Sequence, residues 1–357
     1  MTDGSVVFTA VHMGPYQSMA PVELALAAPV LWAVDGLARR HRAERGEHFV
    51  DAPAIDAAGG VTAFLRASGA RGLVRGTSDD VEGENLEDVL AAAATTLDLP
   101  VTVVEDYPGN FRGHLEGTDD ALCVEMEAVA ALHAARGVPP GQIHVTGNPR
   151  YDALRHVDVA TRRAAVRARL GIEPGASVAL WVGQPDAEDS YRTLEAVLPA
   201  LGRAKATLLF RAHPRDGAYA RGRYGPPLAE AGDVCDVTAD PDVTGLCCAV
   251  DLVVTQFSSV AVEAGYLGTP ALFVLLPSLG GAYIRTRKGY AIPPWCKENC
   301  AFLIDDAKMA AVVVDGAMHD MEAREAVRVN FARRYATRPP SAGAIARLIT
   351  PSLEGSR

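Results

Sequence analysis

Residues 251–276, which read DLVVTQFSSVAVEAGYLGTPALFVLL, contain two short apolar segments separated by a polar turn and a helix-length segment. The first apolar segment is rich in β-branched residues and ends abruptly, as buried strands do. Gly268 and Pro270 follow the helix-length segment and are typical of a helix end. The pattern predicts a strand at 251–255, a turn at 256–259, a helix at 260–267 and a strand at 271–276. Such a unit is typical of an open α/β sheet, in which ligands bind at the carboxyl ends of the parallel strands.

The predicted turn offers hydroxyl and amide groups at the start of a helix. Ser258 and Ser259 lie there, and this combination forms a ready anion site. Glu263 follows one turn into the helix, within reach of a ribose or sugar hydroxyl. The alternative is a purely local role, in which one serine caps the helix and Glu263 is solvated.

Two motifs give the chain a resemblance to a known group of enzymes. Ser-Ser, Glu-Ala and Gly-x-Pro follow an apolar strand that ends in Asp-x-x-x-Thr, and residues 145–154 read VTGNPRYDAL. Both resemble GT-B enzymes, above all the UDP-N-acetylglucosamine 2-epimerases and the glycosyl- and glycerophosphotransferases built like them. The resemblance implies that Ser258 and Ser259 hold a diphosphate and that Glu263 holds the ribose.

The same resemblance implies further ligand contacts at the ends of other strands. It places Gly183 and Gln184, after the strand 178–182, near the nucleotide, and His213 with Arg215 near the phosphates or the sugar. Gly14 lies in the turn after the first strand, where backbone approaches the ligand, although the basic residue of the related enzymes is missing from this turn. Arg285 lies in a glycine-rich basic loop that either holds phosphate or acceptor or is simply solvated.

Two predicted strands of the first half end in polar, acidic turns. Ser78 and Asp79 follow the strand 72–76, and Glu105 and Asp106 follow the strand 101–104. In a parallel sheet both turns emerge at one edge, where a carboxylate can serve as general acid or base. For Asp79 a turn or helix-capping role is the equal alternative, whereas two acids at the mouth of a buried strand favour a functional role.

The length of 357 residues favours two domains. Because each half alternates strands and helices, we expect an α/β, GT-B-like chain of two doubly wound Rossmann-like domains facing a central cleft. The predicted boundaries are an acceptor-side domain at 1–155, a linker at 156–175, a nucleotide-binding domain at 176–335 and a C-terminal segment at 336–357. We expect no order from Thr350 onward.

Composition limits the partners and the location. The net charge of −10 argues against a nucleic-acid scaffold. No apolar run reaches the roughly 18 residues of a membrane span, and the N-terminus lacks a basic signal region. The six cysteines fit no zinc or disulfide framework, so we expect a reducing cytoplasm. The acidic turns contain no Asp-x-Asp pattern, so we expect neither a metal nor another cofactor. A homodimer is left open.

Three functions remain at this point. The first is a metal-independent glycosyltransferase with a UDP-sugar donor, in which Glu105 or Asp106 deprotonates the acceptor and His213 serves the leaving diphosphate. The second is an epimerase or hydrolase of a UDP-amino sugar. The related epimerases have a Pro-Glu-Glu-x-Asn-Arg-like run that is missing here between Phe111 and Ala121, which argues against this function. The third is a non-catalytic sugar-nucleotide binding protein.

Overall fold

The computed structural model describes residues 4–78 and 85–355. The chain forms two compact units: the first comprises Met1–Asp152 with Arg338–Arg357, and the second comprises Ala153–Thr337.

In residues 4–78 and 85–152, the structure of the first unit has six strands and six α-helices. The strands are β1 (Val6–Ala10), β2 (Val30–Val34), β3 (Gly72–Arg75), β4 (Val101–Val104), β5 (Ala121–Val124) and β6 (Ile143–Val145). The helices are α1 (Met13–Ala25), α2 (Gly36–Glu44), α3 (Ala52–Ala57), α4 (Val61–Ala67), α5 (Leu86–Thr96) and α6 (Glu127–Ala135). Short 3₁₀ helices lie at Pro140–Gln142 and at Pro149–His156, the second of which runs across the boundary between the units.

The second unit also has six strands. They are β7 (Val178–Val182), β8 (Thr207–Arg211), β9 (Val234–Asp236), β10 (Leu252–Thr255), β11 (Ala271–Val274) and β12 (Phe302–Ile304). The helices are α7 (Val159–Leu170), α8 (Ala187–Arg203), α9 (Gly217–Ala220), α10 (Gly225–Glu230), α11 (Val243–Ala249), α12 (Val260–Tyr266), α13 (Gly280–Tyr283), α14 (Pro294–Lys297), α15 (Ala310–His319) and α16 (Met321–Phe331). Ile284–Lys288 and Ala332–Ala336 are π-helical, and Ala307–Met309 is a 3₁₀ turn. The last helix, α17 (Ser341–Gly355), belongs to the first unit.

Both sheets are parallel, but their strand orders differ. The first runs β2-β1-β3-β4-β5-β6 and the second β12-β11-β10-β7-β8-β9. In each sheet the chain moves outward from its first strand in one direction and later returns to add strands on the other side. The reversal leaves a crevice between β1 and β3 in one sheet and between β7 and β10 in the other, where doubly wound sheets bind ligands.

The strands are continuously apolar because helices cover both faces of each sheet. All residues of β1 and β7 are buried, for example, and Phe8 and Trp181 are among the largest buried side chains. These two parallel sheets confirm the predicted fold of two doubly wound, Rossmann-like α/β domains.

The structure differs from two expectations, one about the linker and one about the C-terminal end. Residues 156–175 include α7, which belongs to the second unit because Val166 packs into its core and the Arg167 guanidinium bonds to Asp251 and to four backbone carbonyls. The expectation of no order from Thr350 is wrong as far as Gly355, since α17 continues to that residue. Ile345 and Ile349 anchor this helix, at helical spacing, in the core of the first unit.

Within residues 4–78 and 85–355 no helix combines the length and apolarity that a membrane crossing requires. All six cysteines are free thiols.

Candidate functional site

A buried threonine ties together the two loops that flank the crevice of the second unit. The Thr255 hydroxyl, at the end of β10, donates to the carbonyl of Val182 at the end of β7 (2.7 Å). It accepts hydrogen bonds from the Gln184 side-chain amide (3.2 Å) and from the Ser258 backbone amide (3.4 Å). One donor and two acceptor positions are all that a hydroxyl has. The loops carrying Gln184 and Ser258 are therefore held to one point at the strand ends.

Gly183 allows the loop after β8 to approach the same crevice. Its amide donates to the carbonyl of Arg211 (2.9 Å). A Cβ atom at residue 183 would lie 3.1 Å from the His213 backbone nitrogen and 3.2 Å from the Ser190 hydroxyl. Glycine thus provides close packing of the loop that carries His213.

The two serines differ in what they already bind. The Ser258 hydroxyl accepts a hydrogen bond from the Val260 amide (3.2 Å), so it takes part in the local capping that the sequence left open. Ser259 is the N-cap residue of α12, but its hydroxyl makes no capping bond. Both serines are half-buried, and Glu263 is buried one turn into the helix. Of the two serine hydroxyls, only that of Ser258 therefore takes part in capping α12.

His213 is neutral near pH 7 and has a defined tautomer. Its Nδ1 accepts a hydrogen bond from the Arg215 amide (3.1 Å), which leaves the ring proton on Nε2. Burial first, and then the Arg215 charge, lowers the pKa of His213 to about 4, while Asp216 acts in the opposite direction. The Nε2–H group is thus a donor that does not titrate near neutral pH.

Arg215 and Arg285 are both exposed. The Arg285 guanidinium donates to the carbonyl of Pro277 (2.7 Å) in the loop after β11. The neighbouring Tyr283 ring stacks on Phe257 with a centroid separation of 4.9 Å and an interplanar angle of 8°. This stack joins α13 to the turn that carries the serines.

The crevice of the first unit is built around Asp106, in the loop after β4. Its Oδ1 accepts hydrogen bonds from the Thr77 hydroxyl (2.7 Å) and the Asn110 side-chain amide (2.9 Å). On the other side, a Cβ atom at Gly14 would lie 2.3 Å from Asp106 Oδ2. The half-buried carboxylate is therefore oriented by two donors and lies directly against the backbone that begins α1. The structure thus brings Gly14, Ser78 and Asp106 to one edge, whereas Asp79 lies outside the described residues.

Glu105 points the other way. Its side chain is 1% exposed and its Oε1 lies 2.8 Å from Nε2 of the fully buried His133. The same oxygen accepts a hydrogen bond from the Phe111 amide (3.0 Å). Successive residues of extended backbone face opposite sides, so only one of the two adjacent acids reaches the sheet edge. That residue is Asp106, and Glu105 instead holds α6 and the loop after β4 together.

Glu87, on α5, was missed by the sequence analysis. It is fully buried, and its Oε1 accepts hydrogen bonds from the Val11 amide (3.1 Å) and the Ser78 hydroxyl (2.6 Å). Its Oε2 accepts from the Ser78 amide (2.9 Å). Burial raises the pKa of this carboxyl, while Ser78 and Arg75 oppose the shift. An acid in the first turn of a helix is ordinary dipole complementation, so the sequence alone carried no signal of these contacts.

Metal-ligating side chains do not gather in the described part of the chain: it contains no group of three or more His, Cys, Asp or Glu residues arranged to hold an ion.

One family model matches the sequence. It is the CDP-glycerol:poly(glycerophosphate) glycerophosphotransferase family, and the match covers residues 110–293. These residues include the whole crevice of the second unit, whereas Gly14, Ser78 and Asp106 precede them. No curated protein matches the sequence.

Solved structures similar to the chain are GT-B enzymes. A UDP-N-acetylglucosamine 2-epimerase from Neisseria meningitidis bound to UDP-GlcNAc has a TM-score of 0.63 at 13% identity, covering 98% of this chain and 100% of its own. A glycosyltransferase from Rickettsia africae has a TM-score of 0.66 at 9% identity, covering 100% and 99%. A variant of the wall teichoic acid polymerase TagF has a TM-score of 0.55 at 14% identity, covering 99% and 89%.

The likeness in fold and the family match confirm the resemblance to GT-B enzymes of the epimerase and glycerophosphotransferase group. Membership of a transferase family also supports the prediction of an enzyme. Since the family model spans just over half of the 357 residues, the chain belongs to the CDP-glycerol:poly(glycerophosphate) glycerophosphotransferase family.

Proposed function

We propose that this chain transfers glycerol phosphate from a CDP-activated donor to an acceptor hydroxyl, without a resident metal or other cofactor. The acceptor oxygen attacks the phosphorus that carries the glycerol, a new P–O bond forms, and the bond to the bridging oxygen breaks to release CMP. The hydroxyl proton goes to a carboxylate of the chain. The observation that carries this proposal is the neutral, Nε2-protonated His213, in the loop that packs against Gly183 at the end of β7.

The donor atoms at the second-unit crevice suit a diphosphate. The hydroxyls of Ser258 and Ser259 and the Nε2–H of His213 are hydrogen-bond donors, and Arg215 adds a positive charge close to His213 in sequence. Fixed donors of this kind stabilise negative charge as it develops on a leaving phosphate. Thr255 holds the flanking loops in place in advance, so little reorganisation is needed when the donor binds. Glu263 is the proposed ribose contact.

Asp106 is the proposed proton acceptor. Thr77 and Asn110 both donate to its Oδ1, which fixes the orientation of the carboxylate and leaves Oδ2 on the side of Gly14. Glu105 is not proposed for this step, because its carboxylate is buried against His133. General-base catalysis contributes about 10²- to 10⁴-fold, so Asp106→Asn should lower kcat by that order.

The second candidate is glycosyl transfer from a UDP-sugar. It is favoured by the Ser-Ser and Glu-Ala pattern of the serine turn, and by the binding of UDP-GlcNAc to a similar fold in the Neisseria meningitidis enzyme. In that reaction the acceptor attacks the anomeric carbon, a C–O bond breaks and UDP leaves. The same side chains would then hold the diphosphate that is released.

The released nucleotide separates these reactions. Enzyme is incubated with CDP-glycerol or with UDP-sugars, with and without a pool of hydroxyl acceptors, and products are identified by mass spectrometry. CMP formed only with acceptor supports glycerophosphate transfer, whereas UDP formed only with acceptor supports glycosyl transfer. Isomerised or free sugar without acceptor would replace both by the epimerase or hydrolase. Tight binding with no turnover would indicate a binding protein. Asp119→Asn, an exposed acid of the same unit, is the matched control for Asp106→Asn.

A further inference from the structure

We propose that Glu87 is a positioning residue that acts on Asp106 through the loop at residues 77–78. This inference rests on the proposed function, because it assigns Asp106 as the proton acceptor. Glu87 lies on α5, and its carboxylate is fully buried.

Glu87 holds the two loops that flank the crevice of the first unit. Its Oε1 accepts a hydrogen bond from the Val11 amide in the loop after β1, and its Oε2 accepts one from the Ser78 amide in the loop after β3. The Ser78 hydroxyl adds a second link, because it donates to Glu87 Oε1 (2.6 Å) and accepts from the His12 amide (3.1 Å). Donors from both loops therefore converge on one side chain.

The loop that Glu87 fixes is the loop that orients Asp106. Thr77, directly before Ser78, donates its hydroxyl to Asp106 Oδ1 and accepts the Asp106 amide (3.2 Å). A shift of the Ser78 backbone therefore moves the Thr77 hydroxyl and, with it, the carboxylate. Misplacement by about 1 Å in a reacting group can reduce catalysis by about 10²-fold.

Only a carboxylate satisfies all of these donors. A glutamine has one acceptor oxygen, so its amide NH₂ would meet either the Ser78 amide or the donors now bound by Oε1. A buried polar group without a partner is costly, and the loops would have to move to relieve this contact. Arg75 lies 3.8 Å from Glu87 Oε2 and pairs with Asp88 (2.7 Å). Its guanidinium has only donors, so it cannot replace the missing acceptor.

The test compares Glu87→Gln with Asp88→Asn, the exposed neighbour on the same helix. We expect Glu87→Gln to lower kcat about 10- to 100-fold, with KM for the donor and nucleotide affinity within about twofold of the wild type. Asp88→Asn should leave kcat unchanged. Because the two residues act through one group, Glu87→Gln combined with Asp106→Asn should be no slower than Asp106→Asn alone. Ser78→Ala is the second variant, should Glu87→Gln fail to fold.

A readout that needs no turnover separates this inference from the proposed function. The carboxyl carbon signal of Asp106 in NMR should shift in Glu87→Gln and Ser78→Ala but not in Asp88→Asn. If the wild type transfers no group with any donor, the proposed function fails, and the carboxyl signal alone decides whether Glu87 positions Asp106. An unmoved Asp106 signal overturns the inference, as does an unchanged kcat in the folded Glu87→Gln variant of an active enzyme.

Discussion

The lowered pKa of His213 predicts a specific dependence of stability on pH. The folded-state pKa is about 4, below the ordinary value of 6.5. Between these two values the unfolded chain binds a proton at this residue and the folded chain does not. Protonation therefore favours unfolding, and His213 should cost the protein stability as the pH falls from about 6.5 towards 4. His213→Asn removes this titration and leaves an oxygen where Nδ1 accepts the Arg215 amide.

The size of the effect follows from the difference in pKa. One pKa unit corresponds to about 1.4 kcal/mol, so the full difference would be about 3 kcal/mol. Since His213 is only half-buried, solvent screening reduces the expected effect to about 1–2 kcal/mol. The free energy of unfolding of the wild type should thus fall by this amount, relative to His213→Asn, between pH 7 and pH 4.5.

Urea unfolding of both proteins at several pH values measures this difference. All other titrating groups are common to the two proteins, so the change of the difference with pH isolates His213. NMR of the histidine ring nitrogens should also show the Nε2-protonated tautomer at pH 7. A difference in unfolding free energy that stays constant from pH 7.5 to 4.5, or that favours the wild type at low pH, would refute the reasoning.

Three further predictions concern other parts of the chain. Arg167→Ala should lower the free energy of unfolding by about 3–5 kcal/mol, because the buried guanidinium donates to one carboxylate and four carbonyls. In the same urea or thermal assay, Arg192→Ala, at an exposed position, should lower it by about 1 kcal/mol or less. Gly14→Ala should displace the Asp106 carboxylate and lower kcat about 10-fold or more with nucleotide affinity retained; equal kcat in a folded variant would contradict this. Gly316→Ala, within α15 and with no atom near the added methyl group, should raise the free energy of unfolding by about 0.5–1 kcal/mol, and a lower melting temperature would contradict it.

Local pattern in the sequence predicted most of the elements near the crevices. The apolar, β-branched segments before Gln184 and Gln256 are buried strands, and the polar residues after them form the loops. These features depend on residues that are near one another in the chain. Periodicity and turn chemistry are therefore sufficient to predict them.

The choice between Glu105 and Asp106 needed the tertiary structure. Both acids follow the same strand, and local sequence does not distinguish them. The choice depends on His133, 28 residues further on, whose ring pairs with the Glu105 carboxylate in the interior. Membership of α7 in the second unit likewise depends on a contact between Arg167 and Asp251, 84 residues apart.

The sequence by itself determined that this is an α/β chain of two doubly wound domains with polar turns at the strand ends, because strand and helix periods are local properties. The tertiary structure alone decided the strand order, and with it which turns meet at a crevice. It also decided that Glu87 binds Val11, 76 residues away, as well as Ser78. Such contacts form only when parallel strands bring distant loops to one edge of a sheet. The hydrophobic pattern of the sequence does not indicate which polar side chains will then be in contact.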